Sequence, residues 1–448
     1  MAAPAPADRI PLTGADCFLR AFDAEVARWN GASHLSQLVL RLGPGFDPRR
    51  LRELVRDAAA AQPILRAPVR RRFGVGAPGY ELAAAARRPA PPVEVHEAAG
   101  EPGAWPELFA RRMNERRSLR RGELLRFDAV RYAGGAAGTD LALTWQHLLL
   151  DGSGSERFVR WLDACARGDA RLETLPDPGE LGPGPAPTRP LGERGAAARR
   201  WQAWLEGFAA HAPRSFAGPR RRTRQDLAWD LLTLGEEASA RVVAEAGRRA
   251  GFLTPMLYYL ALAIRAHHAV ARARGLDPGS YLVPLPVNVR ARGGEGAIFR
   301  THVSLIWFQA LPGEVEDLDA LVASLKAQRL AAIKSGQIEN GGDAMDFARF
   351  APARLYAHLA RRAFAGELCS FFFAFTGEFL GGLERFLGAE IRNGFHVAPA
   401  PPSPGSCLAL SLRGGRLNAT HLWQRGVFSD AERARLREQL VADLGGGA

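Results

Sequence analysis

The sequence predicts an α/β protein made of two comparable halves, each an α+β two-layer subdomain, which face each other across a central cleft. The chain has 448 residues, a length that suits two domains of about 200 residues each better than one core. Strand-like and helix-like runs alternate in both halves, which indicates layers of sheet and helix. A stretch rich in proline and glycine, residues 172–199, separates the halves and is the best linker candidate.

In the first half, alternating apolar residues predict strands, and apolar residues three and four apart predict helices. The helix that begins at Asp47 is an example, because apolar residues recur at helical spacing from Leu51 to Ala58. Thr13 is the expected cap of a short entry helix. The predicted strands cover residues 34–42, 80–84, 125–132 and 140–146, and the predicted helices cover 10–30, 47–61 and 154–167.

The second half repeats this alternation and closes on an amphipathic helix. Ser429 is the expected N-cap of that helix, with Glu432 three residues later completing a capping box. The predicted strands cover 227–234, 281–289, 302–311, 369–375, 407–412 and 416–422, and the predicted helices begin at 235, 254 and 429. We therefore predict an N-terminal subdomain over 1–171, a linker or crossing segment over 172–225 and a C-terminal subdomain over 226–448.

Composition indicates a globular, cytoplasmic protein. Hydrophobic residues make up 47% of the chain and charged residues 24%, which is typical of a folded domain. The first residues contain no apolar core of a secretory signal, and the longest apolar stretch, 252–270, is interrupted by polar residues and a proline, so no transmembrane segment is expected. The four cysteines form no CxxC pair, which argues against a disulfide framework or a zinc site.

The net charge of +12 comes almost entirely from arginine, since Lys326 and Lys334 are the only lysines. The arginine clusters at 70–72, 111–121 and 220–224 lack the interleaved aromatic residues that stack on bases. We therefore expect a solvated surface and no nucleic-acid partner. The alternative is attraction of an anionic partner, either a coenzyme phosphate or an acidic carrier protein.

The most informative stretch runs from Leu141 to Gly152. It is typical of a buried strand that ends by presenting His147, followed four residues later by Asp151 at a glycine-marked turn. Histidine is the side chain best suited to take up a proton near neutral pH. A fixed aspartate nearby is able to set the orientation of such a base, directly or by holding the loop.

The segment Gln146-His147-Leu-Leu-Leu-Asp151-Gly152 resembles the HHxxxDG signature of the coenzyme A-dependent acyltransferase superfamily with the chloramphenicol acetyltransferase-like fold. That superfamily includes peptide-synthetase condensation domains, wax ester synthase/diacylglycerol acyltransferases and polyketide-associated acyltransferases. The second histidine of the signature matches His147, and Gln146 replaces the first. Further similar segments follow in the right order over essentially the whole chain: 10–16 (the N-terminal opening), 62–66 (the HPxLR turn), 286–290 (the PVxxR segment) and 405–422 (the penultimate hairpin).

The resemblance implies two chloramphenicol acetyltransferase-like subdomains in a monomer, with the site in the cleft between them. It implies that His147 is the general base. It also implies that Asp151 turns away from the site to pair with an arginine, for which Arg290 is the candidate. Gly152 is expected to allow the tight turn and to leave backbone close to the substrate.

Three further residues are candidates for oxyanion or substrate contacts: Gln146, Ser370 and Thr376. The last two lie in the segment 370–377, which loosely matches a Ser-Asn-x-x-Gly-like strand of many members, whereas the DFGWG sequence of plant-type members is absent. A serine nucleophile is not expected, because Gly-Ser-Gly-Ser at 152–155 is not a G-x-S-x-G elbow. We expect no metal to be bound. Five histidines outside the signature are expected to be structural: His267, His268, His302, His396 and His421.

The predicted function is transfer of an acyl group from a thioester to a hydroxyl or amine of a small-molecule acceptor. The co-substrate is expected to be an acyl-CoA or the phosphopantetheine thioester of an acyl carrier protein, with no permanently bound cofactor. Two alternatives stay open. One is a free-standing condensation enzyme that uses carrier-bound substrates, and the other is a non-catalytic binding protein on the same scaffold.

Overall fold

The structure is a computed structural model that describes residues 8–71, 76–177, 179–182, 189–217, 226–290, 296–362 and 366–445. In these ranges strands and helices alternate in both halves, which confirms the predicted α/β class. The strands are β1 (Arg9–Pro11), β2 (Leu35–Leu42), β3 (Val69–Arg71), β4 (Pro78–Glu81), β5 (Val93–Ala98), β6 (Leu125–Tyr132), β7 (Gly138–Gln146), β8 (Leu227–Thr233), β9 (Tyr281–Asn288), β10 (Val303–Ala310), β11 (Phe372–Glu378), β12 (Arg385–Phe386), β13 (Ala389–Val397), β14 (Ser406–Arg413) and β15 (Arg416–Gln424). The helices are α1 (Gly14–Trp29), α2 (Pro48–Ala61), α3 (Leu82–Ala85), α4 (Glu107–Met113), α5 (Gly152–Arg167), α6 (Leu191–Gly207), α7 (Glu236–Ala250), α8 (Pro255–Arg274), α9 (Leu318–Lys334), α10 (Gln337–Ala348), α11 (Ala353–Arg362) and α12 (Asp430–Asp443).

The largest sheet has six strands in the order β12-β13-β2-β7-β6-β5. Its centre is β7, whose nine residues are all buried, because helices cover one face and the second half covers the other. Alternate side chains of β2 show this division. Leu38 and Leu40 belong to the core beneath the helices, whereas Leu35 and Val39 belong to a separate apolar cluster.

That separate cluster lies between the two large sheets. The second sheet has four strands in the order β11-β14-β15-β8, and its residues Cys407 and Leu422 join Leu35 and Val39 in the cluster. The far faces of β14 and β15 pack instead on α8 and α12 in the core of the second half. The two halves therefore meet through an apolar contact, and the cleft opens beside it.

Two strands of the second half, β12 and β13, are part of the first half's sheet. β13 pairs antiparallel with β2, with Phe395 opposite Val39 and His396 opposite Leu38. The subdomain boundaries predicted at residues 171 and 226 did not anticipate that β13 would pair with β2. The division into folding units stays a prediction, but residues 385–397 complete the sheet of the first half.

The helices α9, α10 and α11 were not predicted from the sequence. α1 packs against both α10 and α11, and α10 packs on α6. Helices α10 and α11 therefore connect the start of the chain to α6, the helix of the predicted crossing segment. Where the structure describes the chain, none of the helices combines the length and apolarity that crossing a bilayer requires.

Candidate active site

His147 lies where β7 ends, at the edge of the cleft. Its backbone N–H donates to the carbonyl of His34 at 3.1 Å, which continues the β2–β7 pairing by one residue. A tight turn follows, in which the N–H of Leu149 donates to the carbonyl of Gln146 at 2.8 Å. The fully buried strand and this turn together fix the position of the imidazole.

The protonation pattern of His147 follows from one hydrogen bond. Nδ1 lies 3.2 Å from the carbonyl oxygen of Leu150, and because a carbonyl only accepts, Nδ1 carries the proton and Nε2 is the free acceptor. The indole Nε1 of Trp145 also donates to that carbonyl, at 2.7 Å. Burial lowers the pKa of His147, and the contacts with Leu150 and Asp151 oppose that shift only in part. The side chain is therefore a neutral base at neutral pH.

Asp151 and Arg290 form a bidentate ion pair that joins the two halves. Arg290 Nη1 and Nη2 donate to the two carboxylate oxygens, both at 2.9 Å. The side chain of Arg290 is only 4% exposed and that of Asp151 only 3%. The carboxylate also accepts from the backbone N–H of Gly154 and of His302, each at 2.8 Å. Burial alone would raise the pKa of Asp151, but the guanidinium and these N–H groups outweigh it, so the pKa is lowered. Asp151 is thus held as an anion.

The pair also explains how the loop carrying His147 is held. Asp151 is the N-cap of α5, and Arg290 Nε donates to the carbonyl of Ala297 at 2.9 Å. One carboxylate therefore fixes the helix start, the segment after β9 and the approach to β10 at the same time. The loop that carries His147 is thus anchored at Asp151 to both halves.

Gly152 lines the cavity between the halves, so its expected closeness to the substrate stays a prediction, but the tight turn does not depend on it. Gly152 does not have a positive φ, and a Cβ there would meet only ordinary contacts, with Thr376 Cγ2 at 3.7 Å and His396 Cε1 at 3.9 Å. The turn therefore does not require glycine at this position. Gly154 is the residue that does, because a Cβ there would collide with the carbonyl of Ile298.

A cavity of about 390 Å³ lies in front of His147, between the halves. Its lining is mostly apolar, with a few polar side chains that include His147, Asp151, Asn288 and Thr376. Apolar walls with a small number of converging polar groups are typical of small-molecule sites. The predicted base and Thr376 therefore share one cavity.

Two of the predicted contact residues do not reach this cavity. Gln146 is fully buried on the opposite face of β7, where its amide donates to the carbonyl of Arg117 at 2.9 Å. Ser370 is also fully buried, and its hydroxyl accepts from the N–H of Leu282 at 3.1 Å and donates to the carbonyl of Ser280 at 3.3 Å. Both side chains bind backbone groups in the interior, and neither lines the cavity.

Thr376 is differently placed. It lines the cavity beside Gly152, and its Oγ1 is buried without a hydrogen-bond partner in the part of the chain that the structure describes. Leaving a buried hydroxyl unpaired costs about 1–3 kcal/mol. A hydroxyl held in this way is available to a ligand in the cavity.

Sequence reasoning did not place His34 or His396 at the cavity, although both line it. The rings of His34 and His147 lie 5.6 Å apart, and the antiparallel register of β2 and β7 was the available signal, since it places residues 34 and 147 opposite each other. His396 was expected to be structural, and that expectation stays a prediction. No sequence signal placed it here, because β13 reaches the site from the other half.

The environment of His396 keeps it neutral. Ser155 Oγ donates to the carbonyl of Gly152 at 2.7 Å and accepts from His396 Nε2 at 3.0 Å, which leaves Nδ1 as a bare acceptor. Burial lowers the pKa of His396 to about 3, and the nearby His147 contributes in the same direction. Glu156 Oε1 lies 3.9 Å from Nδ1, and burial raises the pKa of that carboxyl to about 7.

One group of side chains in the described ranges has the spacing of metal ligands: Glu94, His96 and Asp128. Arginine already occupies these carboxylates. Arg112 Nη2 lies 2.6 Å from Glu94 and 2.9 Å from Asp128, and Arg126 Nε lies 2.7 Å from Asp128. Two guanidinium groups supply the positive charge that a cation would bring, so the donor set does not fit a metal ion.

No protein-family model matches the chain, and no curated protein matches it. Solved structures do match over nearly their full length. The first condensation domain of the CDA synthetase superposes with a TM-score of 0.67 at 15% identity, covering 98% of this chain and 96% of that one. The trichothecene 15-O-acetyltransferase TRI3 from Fusarium sporotrichioides superposes with a TM-score of 0.66 at 13% identity, covering 97% of this chain and 95% of that one. Polyketide synthase associated protein 5 from Mycobacterium tuberculosis superposes with a TM-score of 0.61 at 15% identity, covering 95% of this chain and 96% of that one.

At these identities the likeness is one of fold. It extends over 95% to 98% of this chain, and so over both halves. The resemblance stated from the sequence is thereby confirmed at the level of architecture: the chain has the two-subdomain fold of condensation domains and of chloramphenicol acetyltransferase-like acyltransferases.

Proposed function

We propose that the protein transfers an acyl group from a thioester to a hydroxyl or amine, with His147 as the general base. The observation that carries the proposal is the state of His147 itself. Its Nδ1 proton is donated to the Leu150 carbonyl, so the basic Nε2 is free, and the side chain lines a cavity formed by both halves. A neutral imidazole positioned in this way is suited to accept a proton from an attacking nucleophile.

The reaction proceeds by direct transfer. The acceptor oxygen or nitrogen forms a bond to the thioester carbonyl carbon while His147 Nε2 takes its proton. The tetrahedral intermediate then collapses, the carbon–sulfur bond breaks, and the proton passes from His147 to the leaving thiolate. Products are an ester or amide and a free thiol, and the enzyme carries no covalent intermediate.

Thr376 is the proposed donor to the oxyanion. Its unpaired buried hydroxyl lines the same cavity as His147, and a donor already in place when charge develops loses no reorganisation energy at that moment. Asp151 has a different role in this proposal. Its carboxylate is saturated by Arg290 and two backbone N–H groups, so it positions the loop and moves no proton.

The test is release of free thiol from a panel of acyl-CoA and acyl-carrier-protein donors, each offered with alcohol and amine acceptors. Acceptor-dependent release with identification of the acylated acceptor supports the proposal. A preference for carrier-bound partners on both sides would identify a free-standing condensation enzyme. Absence of thiol release from every pair, together with tight thioester binding, would identify a non-catalytic binding protein and overturn the proposal.

The pH dependence of kcat/KM is the first prediction. Because burial lowers the pKa of His147 below its ordinary value, the base is unprotonated throughout the neutral range. We expect kcat/KM to be flat from about pH 7 upward and to fall only below about pH 6.5, the ordinary pKa of histidine. Half-maximal kcat/KM above pH 7 in a thiol-release assay would assign the titrating base to another group.

Substitution of Thr376 tests the oxyanion donor. Thr376→Val preserves the shape of the side chain and removes the hydroxyl, so we expect kcat to fall by about 10²–10³-fold with a much smaller change in KM. Thr376→Ser keeps the hydroxyl and is the matched control, with kcat close to that of the unmodified protein. Equal kcat for the valine and serine variants would exclude Thr376 from this role.

A further inference from the structure

A second, larger cavity lies against the wall of the catalytic one. Its volume is about 870 Å³, and it runs between α6, α10, α11 and β10. Phe18, Leu305 and Met345 line both cavities, so a single layer of side chains separates them. We call the larger cavity the α6–α10 groove.

The floor of the α6–α10 groove is apolar, and its mouth carries both polar and apolar side chains. Leu205, Trp307, Tyr356 and Leu368 lie at its floor and are each less than 8% exposed. The polar side chains Arg199, Gln202 and Glu206 lie on one exposed edge of α6. At the mouth, Phe347 and Leu359 remain 38% and 49% exposed. Exposed apolar surface that continues into a buried apolar floor is typical of a site for an apolar ligand.

The catalytic cavity itself has little room for a long substrate. Its volume of about 390 Å³ is near the lower end of the roughly 300–1,000 Å³ found for ligand pockets. It has to hold the reacting ends of two substrates at once. The reacting carbonyl carbon carries two groups, the thioester sulfur and the alkyl chain. Because the alkyl chain is apolar, it needs apolar space close to His147.

We propose that the α6–α10 groove binds the alkyl chain of the acyl donor, and that the donors are therefore medium- to long-chain acyl thioesters. This inference rests on the proposed function and names its substrate class. Met345 is the point of passage between the cavities, because an unbranched thioether side chain with three rotatable bonds changes rotamer at low cost. Each methylene that the groove buries tightens binding by about four-fold.

The test compares dodecanoyl-pantetheine with butyryl-pantetheine, the thioester portion common to coenzyme A and carrier proteins. Calorimetric titration of the full chain without an acceptor measures binding independently of turnover. We expect the longer chain to bind at least about ten-fold more tightly, since several methylenes enter the groove. The heat capacity change is expected to be more negative for the longer chain.

Two variants fill the groove from opposite walls: Ala344→Phe on α10 and Ala198→Phe on α6, at half-buried alanines that line the groove and not the catalytic cavity. Each is expected to abolish the preference for the dodecanoyl chain. Ala327→Phe makes the same change at an exposed position of α9 that lines neither cavity, and it is expected to keep the preference. Thermal unfolding identifies any variant that has lost its fold. If one groove variant is unfolded, the other is used to test the preference.

The outcomes separate the groove from the chemistry. A chain-length preference that the groove variants abolish supports the inference even if no thiol is released, in which case only the proposed function fails. Equal binding of the two thioesters, or a preference kept by a folded groove variant, overturns the inference even if thiol release is fast. A preference for dodecanol over butanol in the absence of any preference among thioesters overturns the assignment to the donor.

Discussion

Replacement of His147 by alanine is expected to lower the rate of acceptor-dependent thiol release by about 10²–10⁴-fold, the usual contribution of a positioned general base. The imidazole is held by the Leu150 carbonyl with Nε2 free, and the acceptor has to lose a proton as it attacks. Steady-state kinetics with saturating donor and acceptor measure the effect on kcat. Binding of the thioester is expected to change little, because the contribution of His147 is made in the transition state.

His268→Ala is the matched control for this substitution. His268 is a half-buried histidine of α8 that hydrogen-bonds Tyr281 at 2.9 Å and lines neither of the two cavities discussed above. Its loss is expected to leave kcat within a factor of about two. The same kcat for His147→Ala as for the unmodified protein would refute the mechanism, whatever the donor.

Substitution of Asp151 by asparagine is expected to lower the free energy of unfolding by about 3–5 kcal/mol, the cost of breaking a buried ion pair by removing one partner. Arg290 would then be left as a buried cation, with 4% of its side chain exposed. Urea unfolding measures the loss. Thiol release is expected to fall as well, because α5 and the loop that carries His147 lose their common anchor.

A control and a pH series make this prediction sharper. Asp230→Asn removes a half-exposed carboxylate that pairs with Arg433 on the surface, and such pairs contribute about 0–1 kcal/mol. Because the pKa of Asp151 is lowered in the folded state, its stabilising contribution is present above about pH 4, the ordinary aspartate pKa, and is lost as the pH falls through the folded value. A slower reaction with unchanged stability would show that Asp151 takes part in the chemistry itself.

The sequence was sufficient for features whose cause is local. β7 could be predicted because Leu141, Ala142, Leu143 and Trp145 form a short apolar run, and the turn that follows the strand presents His147. The position of Asp151 and the closing helix with its Ser429 cap follow from equally local patterns. The resemblance added Arg290, which no local pattern connects to a residue 139 positions away.

The sequence failed where the face of a strand or a distant partner decides the outcome. Gln146 and Ser370 were chosen by their proximity to motifs, yet each side chain points to backbone in the interior. His396 could not be assigned to the site because the pairing of β13 with β2 is set by the packing of the two halves. Helix α10 has no side-chain cap, and α9 was missed although Asp317 caps it with two backbone hydrogen bonds. The apolar residues of α9 to α11 are divided between two cavities and a core.

The exchange of β13 has a mechanical consequence. A cleft between two independent lobes widens when the lobes rotate apart about a hinge. Here β12 and β13 belong to the sheet of the first half whereas β11 and β14 belong to that of the second, so the chain passes between the halves three times: before β8, between β11 and β12, and between β13 and β14. Rotation about any one of these connections would strain the other two, so we expect the width of the cleft to change little when a substrate enters.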